Sequence, residues 1–325
     1  MAVLLAGWPT HVPGTTVNRL CGSSLEAAIQ GSRAIECGDA AIVAVGGGEA
    51  MSRSPWILQK PARAFPAGNE TLHSSALGWR MINPRMPEQW TISLGLSTEK
   101  LVAMYGITRE QQDEFALRSH RLAASAYAEG ALQEVVPLAG SELMQDESIR
   151  ADTSLEKLAK LEPAFLQGGT VTAGNSSPLN DGAAAVLLAD EASAGGAGLD
   201  RAPLARIVSR AVHAVDPDVF GIGPVEAANR ALARAGLSWE EIDVVELNEA
   251  FAGQSLACLQ SWPELDPERV NRRGGAIAIG HPLGASGARV LGRVAHELHG
   301  RGGGYGLAAI CIGVGQGLAV VLEGC

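Results

Sequence analysis

The tripeptide Val-Asn-Arg stands at Val17–Arg19 and again at Val270–Arg272. Each copy is followed by a glycine-rich loop, a helical pattern, a connector and an apolar run that ends in glycines. A unit present at both ends of a chain calls for two similar halves, so an α/β protein is expected whose ends are copies of one strand-and-helix plan. The loop of the first copy carries Cys21. The loop of the second carries His281, and its final apolar run adds Cys311. A pseudo-twofold pairing of the copies brings these three side chains together.

The residues around His281 are nearly free of side chains. Gly274, Gly275, Gly280, Gly284 and Gly287 let backbone approach closely on either side of it. Pro282 pushes His281 out of helical geometry, and Val290, Leu291, Val294, Ala295 and Leu298 then recur at helical spacing until Gly300. His281 therefore lies on a loop feeding a helix, although an ordinary turn histidine has the same signature. Cys21 follows an expected strand, Thr15–Leu20, and precedes a helix opened by the capping-box spacing of Ser23 and Glu26. A helix N-terminus favours thiolate over thiol, whereas a buried cysteine acting as a small hydrophobe is the alternative.

Elsewhere residues 1–14 read as the tail of a helix and a loop. Residues 40–45, followed by Gly46–Gly48, read as a parallel strand covered on both faces. Residues 51–179 lose the sheet pattern and read as an insertion, with a long helix capped by Thr108 and Gln111. Strands are expected at 183–189, 204–208, 244–247 and 307–312, and a helix at 224–235. Asn248 and Glu249 then stand at a strand's carboxyl end, the edge where α/β sheets bind ligands. The expected domains are a first half from 1–50 and 180–203, an inserted loop domain over 51–179, and a second half over 204–325.

Composition narrows the function. Aromatic residues are only 4% while glycines number 40, which predicts tight small-residue packing of helices on sheet. A net charge of -10 without a basic stripe argues against nucleic acid. The longest strictly apolar run, Ala183–Ala189, is too short to cross a membrane. Five cysteines without a repeated Cys-x-x-Cys favour reduced thiols in the cytoplasm over disulfides or zinc.

Four stretches, VNRLCGSSLEA at Cys21, NEAFA from Asn248, GGAIAIGHPLGASGAR at His281 and CIGVGQG at Cys311, resemble the signatures of the thiolase family, in the family's order and from end to end of the chain. The resemblance implies the thiolase fold: two similar mixed β-sheet halves, layered α-β-α-β-α, with an inserted loop domain. It also implies acyl transfer between coenzyme A thioesters. In that chemistry Cys21 is the nucleophile, His281 its activator, and Cys311 the acid/base at the α-carbon of acetyl-CoA. Asn248 holds a water that forms an oxyanion hole with His281, and the amides of Cys21 and Gly313 form the other hole. Ser177 meets the pantetheine arm and Arg150 the nucleotide end. Neither metal nor resident cofactor is implied; acyl-CoA, acetyl-CoA and CoA are substrates, and the assembly is a homotetramer or homodimer.

Two departures stand out. Ser93-Leu94 occupies the place of the His-Met pair of short-chain members, and LGWRMINPRM is similar to thiolases of longer or dicarboxylic acyl groups, including 3-oxoadipyl-CoA. Family members also begin roughly 65 to 70 residues earlier, so the first half is expected to lack a strand, a helix and a further strand. A non-catalytic acyl-CoA binder and a ketoacyl synthase are the rival readings, and Cys311 argues against the latter.

Overall fold

The computed structural model describes residues 1–196 and 202–325; residues 197–201, expected in the first half, lie outside them. A single turn, α1 (Ala2–Leu5), leads through irregular chain to a 3-10 turn at Leu20–Gly22 and helix α2 (Ser23–Glu36). The strand expected before Cys21 does not form: Leu20 takes a left-handed φ of 49°, which breaks the extended path. The capping box expected at Ser23 and Glu26 is absent too. Ser23 Oγ instead donates to the Leu20 carbonyl at 2.6 Å and accepts the Arg19 amide at 3.0 Å, tying the helix start to the incoming loop. Glu26 pairs with Arg19 and accepts from Gln30.

β1 (Ile42–Ala50) runs through all three glycines. The region expected as an insertion follows: a hairpin of β2 (Trp56–Leu58) and β3 (Leu72–Ser74), helices α3 (Leu94–Tyr105) and α4 (Arg109–Ala128), and the turn α5 (Leu155–Leu158). On α4 the capping box of Thr108 and Gln111 is formed as expected. After it come β4 (Asp181–Ala189) and α6 (Glu191–Gly196). β1 pairs with β4 antiparallel, Val45 opposite Val186, which corrects the expected parallel strand covered on both faces. The reason lies in the period of two: Val43, Val45, Val186 and Leu188 face the core, while Ile42, Ala44 and Leu187 face outward.

The second half contains β5 (Ala205–Ala214), α7 (Gly223–Ala235), β6 (Ile242–Leu247), α8 (Ala252–Gln260), α9 (Ala276–Ile279), α10 (Leu283–Arg301), β7 (Tyr305–Ile312) and β8 (Gln316–Gly324). These strands form a mixed sheet in the order β5-β8-β7-β6, with β6 parallel to β7 and the other pairings antiparallel. One face packs on α7, Trp239 and Trp262, whose rings lie 4.7 Å apart. The other face packs on α2 and α10, where Leu25, Ile29, Val290 and Val294 meet Ile310, Ile312 and Val320. The β1–β4 pair covers the far side of those two helices through Val45. No helix among the described residues is long and apolar enough to cross a membrane.

Helix α10 can lie this close only because glycines on it and on β1 lack side chains. A Cβ on Gly47 would overlap the Gly284 carbonyl oxygen, and one on Gly287 would overlap the backbone of Leu25. Ser24 Oγ accepts the Ala288 amide at 2.8 Å across the same seam. Gly47→Ala should therefore destabilise the protein by about 2 kcal/mol or more. Gly300→Ala, in α10 where a Cβ meets nothing, should stabilise it by about 0.5 kcal/mol. Urea denaturation of both variants checks the contrast.

Candidate active site

The 3-10 turn carrying Cys21 packs directly on α10 and β7, so the first half's thiol meets elements that carry the second half's reactive groups. Cys21 is 7% exposed, and the backbone amide of Gly313, just past the end of β7, is close enough to lower its thiol. Burial pushes its thiol up to about 11, and the Glu49 carboxylate adds to that; the Gly313 and Cys21 amides pull the other way and lose. The thiolate expected from the helix N-terminus is thus corrected. Desolvation of a sulfur anion outweighs two amide dipoles, and the resting group is a thiol.

Cys311 ends β7, buried between Phe220 and Ala250, with Leu94 and Phe251 packed at the edge of the group. Burial first, then the proximity of Cys21 and Cys258, holds its thiol well above the ordinary range. On the adjacent strand, Asn248 follows β6 and its amide donates to the Ala309 carbonyl at 3.0 Å. Its side-chain Nδ2 lies 3.5 Å from His281 Nε2, and its Oδ1 is buried without a protein partner.

His281 is held from three sides. Its backbone amide donates to Asn180 Oδ1 at 2.7 Å, its ring Nδ1 lies 2.6 Å from Ser286 Oγ, and Nε2 faces Asn248. The turn that delivers it needs Gly280, at a φ of 98°, where a Cβ would also overlap the Asn180 amide group. Burial, followed by the Arg289 cation, lowers the imidazole to about 3. The ring is therefore neutral, a proton acceptor.

The approach to His281 is fixed by a buried polar cluster. Asn271 Oδ1 accepts the Leu247 amide at 2.9 Å while its Nδ2 donates to the Leu247 carbonyl at 2.8 Å, so one side chain continues the ladder that β6 leaves open. Glu249 accepts from Asn271, from Ser119 Oγ and from the Ile277 amide. It is a brace for the loop, not a group facing the thiols.

A cleft of about 1110 Å³ opens beside this centre. Arg150, Lys157, His120, Ile277 and Ile279 line it, as do Ser176 and Pro178. Ser177 sits between the last two with both its amide and its hydroxyl directed to the Ala250 carbonyl, at 3.1 and 3.0 Å. The structure thus groups Cys21, Cys311 and Gly313, sets Asn248 and His281 beside each other, and places Arg150 at the cleft. Sequence reasoning missed Ser286, Asn180 and His120. The hydroxyl five residues after His281 was a usable signal for Ser286; nothing local marked Asn180, which acts from 101 positions away.

A raised thiol and a neutral imidazole make a specific prediction. Inactivation by iodoacetamide without substrate should still accelerate between pH 8 and pH 10, because thiolate accumulates only towards about 11. A rate that levels off below pH 7 would instead reveal a preformed thiolate–imidazolium pair.

Residues 1–192 match the model of the thiolase N-terminal domain, and residues 201–324 that of the thiolase C-terminal domain. The 3-oxoadipyl-CoA/3-oxo-5,6-dehydrosuberyl-CoA thiolase of Escherichia coli is 47% identical over 334 residues, covering 99% of this chain and 82% of that protein. An acetyl-CoA acetyltransferase of Pseudomonas aeruginosa is 46% identical at the same coverages. Human mitochondrial 3-ketoacyl-CoA thiolase, solved in complex with CoA, superposes with a TM-score of 0.91 at 40% identity, over 99% of this chain and 80% of that one.

Proposed function

We propose, for a chain that belongs to the thiolase family and transfers acyl groups between coenzyme A thioesters, that Cys21 carries the acyl group and that the favoured acyl group is of the 3-oxoadipyl type. The observation that carries the first part is the buried Cys21, set by its turn against β7 and α10 and close to Cys311.

In the first half-reaction His281 takes the Cys21 proton and the sulfur attacks the thioester carbonyl. A bond forms between sulfur and carbon, the bond to the CoA sulfur breaks, and that sulfur leaves with the proton from His281. The Gly313 and Cys21 amides are the donors for the oxyanion, a contribution of about 3 to 4 kcal/mol per donor. In the second half-reaction Cys311 gives its own proton to His281 and, as a thiolate, takes one from the α-carbon of acetyl-CoA. That carbon attacks the acyl group on Cys21, a carbon–carbon bond forms, the bond to the Cys21 sulfur breaks, and that sulfur returns to a thiol with the proton held by His281. Asn248 and His281, through an intervening water, support the negative charge on the acetyl-CoA oxygen. Run backwards, the raised Cys311 thiol is a ready acid for the departing acetyl-CoA carbanion.

The cleft lined by Arg150 supports a nucleotide end there, and Ser177, between the cleft-lining Ser176 and Pro178, is assigned to the pantetheine arm. No resident metal or cofactor has a part in this scheme. The dicarboxylic acyl group is supported by Ser93-Leu94 in place of a His-Met pair and by the name of the Escherichia coli relative. Leu94 packs at the group around Cys311. The three-part division at 50/51, 179/180 and 203/204, a homodimeric or homotetrameric assembly, and a cytoplasmic setting complete the proposal; five unpaired cysteines support that setting.

Thiolysis of 3-oxoadipyl-CoA, acetoacetyl-CoA and a medium-chain 3-oxoacyl-CoA, followed by loss of the substrate's enolate absorbance, tests the substrate. The first should give the highest kcat/KM, and a higher value for acetoacetyl-CoA refutes the acyl preference. Cys311→Ala should lose condensation by about a hundredfold or more while its Cys21 still accepts acetyl groups. A variant that condenses at full rate removes Cys311 from its role.

A further inference from the structure

We propose that Ser286 is a positioning residue for His281: its hydroxyl accepts the Nδ1 proton, fixes the ring as the Nδ1-protonated tautomer, and leaves the Nε2 lone pair facing the site as the base. The inference rests on the reading of His281 as the group that takes the Cys21 proton.

Ser286 lies one turn into α10 and is completely buried. Its Oγ is 2.6 Å from His281 Nδ1 and 3.0 Å from the Pro282 carbonyl oxygen, onto which the hydroxyl folds back across one helical turn. A hydroxyl has a single hydrogen. Directed to Pro282, it leaves lone pairs for an incoming N–H, and the imidazole nitrogen beside it must be the one that bears the proton. The other side of the ring agrees. Asn248 Nδ2 lies 3.5 Å from Nε2, a contact compatible with a lone pair there. The Ser286 hydroxyl, spent on Pro282, thus selects one of the two tautomers open to a neutral imidazole, and the Asn248 contact is compatible with it.

Helix geometry makes the device rigid. Pro282 gives up its own amide, so its carbonyl both starts α10, accepting the Ala285 and Ser286 amides, and receives the Ser286 hydroxyl. The neighbour at Ser24, bonded to Ala288, keeps that first turn against α2. The bond to the Pro282 carbonyl holds the hydroxyl on this turn. When Cys21 transfers its proton to Nε2, the ring becomes an imidazolium with two N–H groups, and Ser286 already accepts one of them. No rearrangement is needed at the moment of transfer.

The test is the tautomer itself, read by long-range proton–nitrogen correlation spectra of protein labelled at its 7 histidines. The signals lost in His281→Asn identify the ring. The wild-type ring should show a protonated Nδ1 and a lone-pair Nε2. Ser286→Ala should lose that signature to a mixture of tautomers and lower kcat by about 10- to 100-fold with KM for CoA within about twofold. Ser286→Thr, which retains a hydroxyl, should restore the signature and most of kcat. A wild-type ring protonated at Nε2 overturns the proposal, as does Ser286→Ala with an unchanged tautomer and full kcat. If His281→Asn still acetylates Cys21 at the wild-type rate while the Nδ1-protonated signature holds, it is the role of His281 as base that fails and not the placement of the proton.

Discussion

Everything at the centre depends on how closely α10 approaches the first half. Gly47, Gly284 and Gly287 remove the atoms that would hold the backbones apart, and Ser24 closes the seam with a hydrogen bond to Ala288. This contact sets the beginning of α10, and with it His281, against the turn that carries Cys21. A methyl group at Gly47 would separate two loops whose chemistry needs atoms within hydrogen-bond reach. Glu49, one residue beyond Gly48, accepts the Gly284 amide at 3.0 Å and extends the same seam.

Burial then sets the protonation of what the seam brings together. Cys21 and Cys311 are held as thiols and His281 as a neutral base, all by desolvation, so charge separation is left to the reaction. A second layer of charge lies behind the histidine. Arg289 and Arg293, on α10, face Glu246 on β6, and Arg293 also pairs with Glu134 from the chain between α4 and α5. That network ties this stretch to the helix that positions His281, and Arg289 contributes to keeping the ring neutral.

Much of this was legible in the residues. The glycines around His281, the capping box at Thr108, the helix through Val290 and Leu298, and the strands that deliver Asn248 and Cys311 carry their own local signals, and the structure contains them. The failures share a cause. Thr15–Leu20 reads as a strand by β-branching, yet Leu20 is turned left-handed by the packing that presents Cys21. Residues 40–45 read as a doubly covered strand because composition cannot tell one buried face from two, and the antiparallel pairing with β4 is a long-range choice. The thiolate expectation counted a helix end and not the desolvation that only the assembled core imposes. Asn180 and Ser119 act on the second half from positions far away in sequence, which no local pattern records.

The central claim is that Cys21 is the acyl carrier of a two-step transfer. Intact-mass analysis after mixing the protein with acetyl-CoA, before any acceptor is added, tests it most directly. The account predicts one acetyl group per chain, located by peptide mapping on Cys21, absent from Cys21→Ser, and discharged when CoA is added. An acetyl group on Cys311 or another residue, or turnover of the substrate by Cys21→Ser at the wild-type rate, would contradict it.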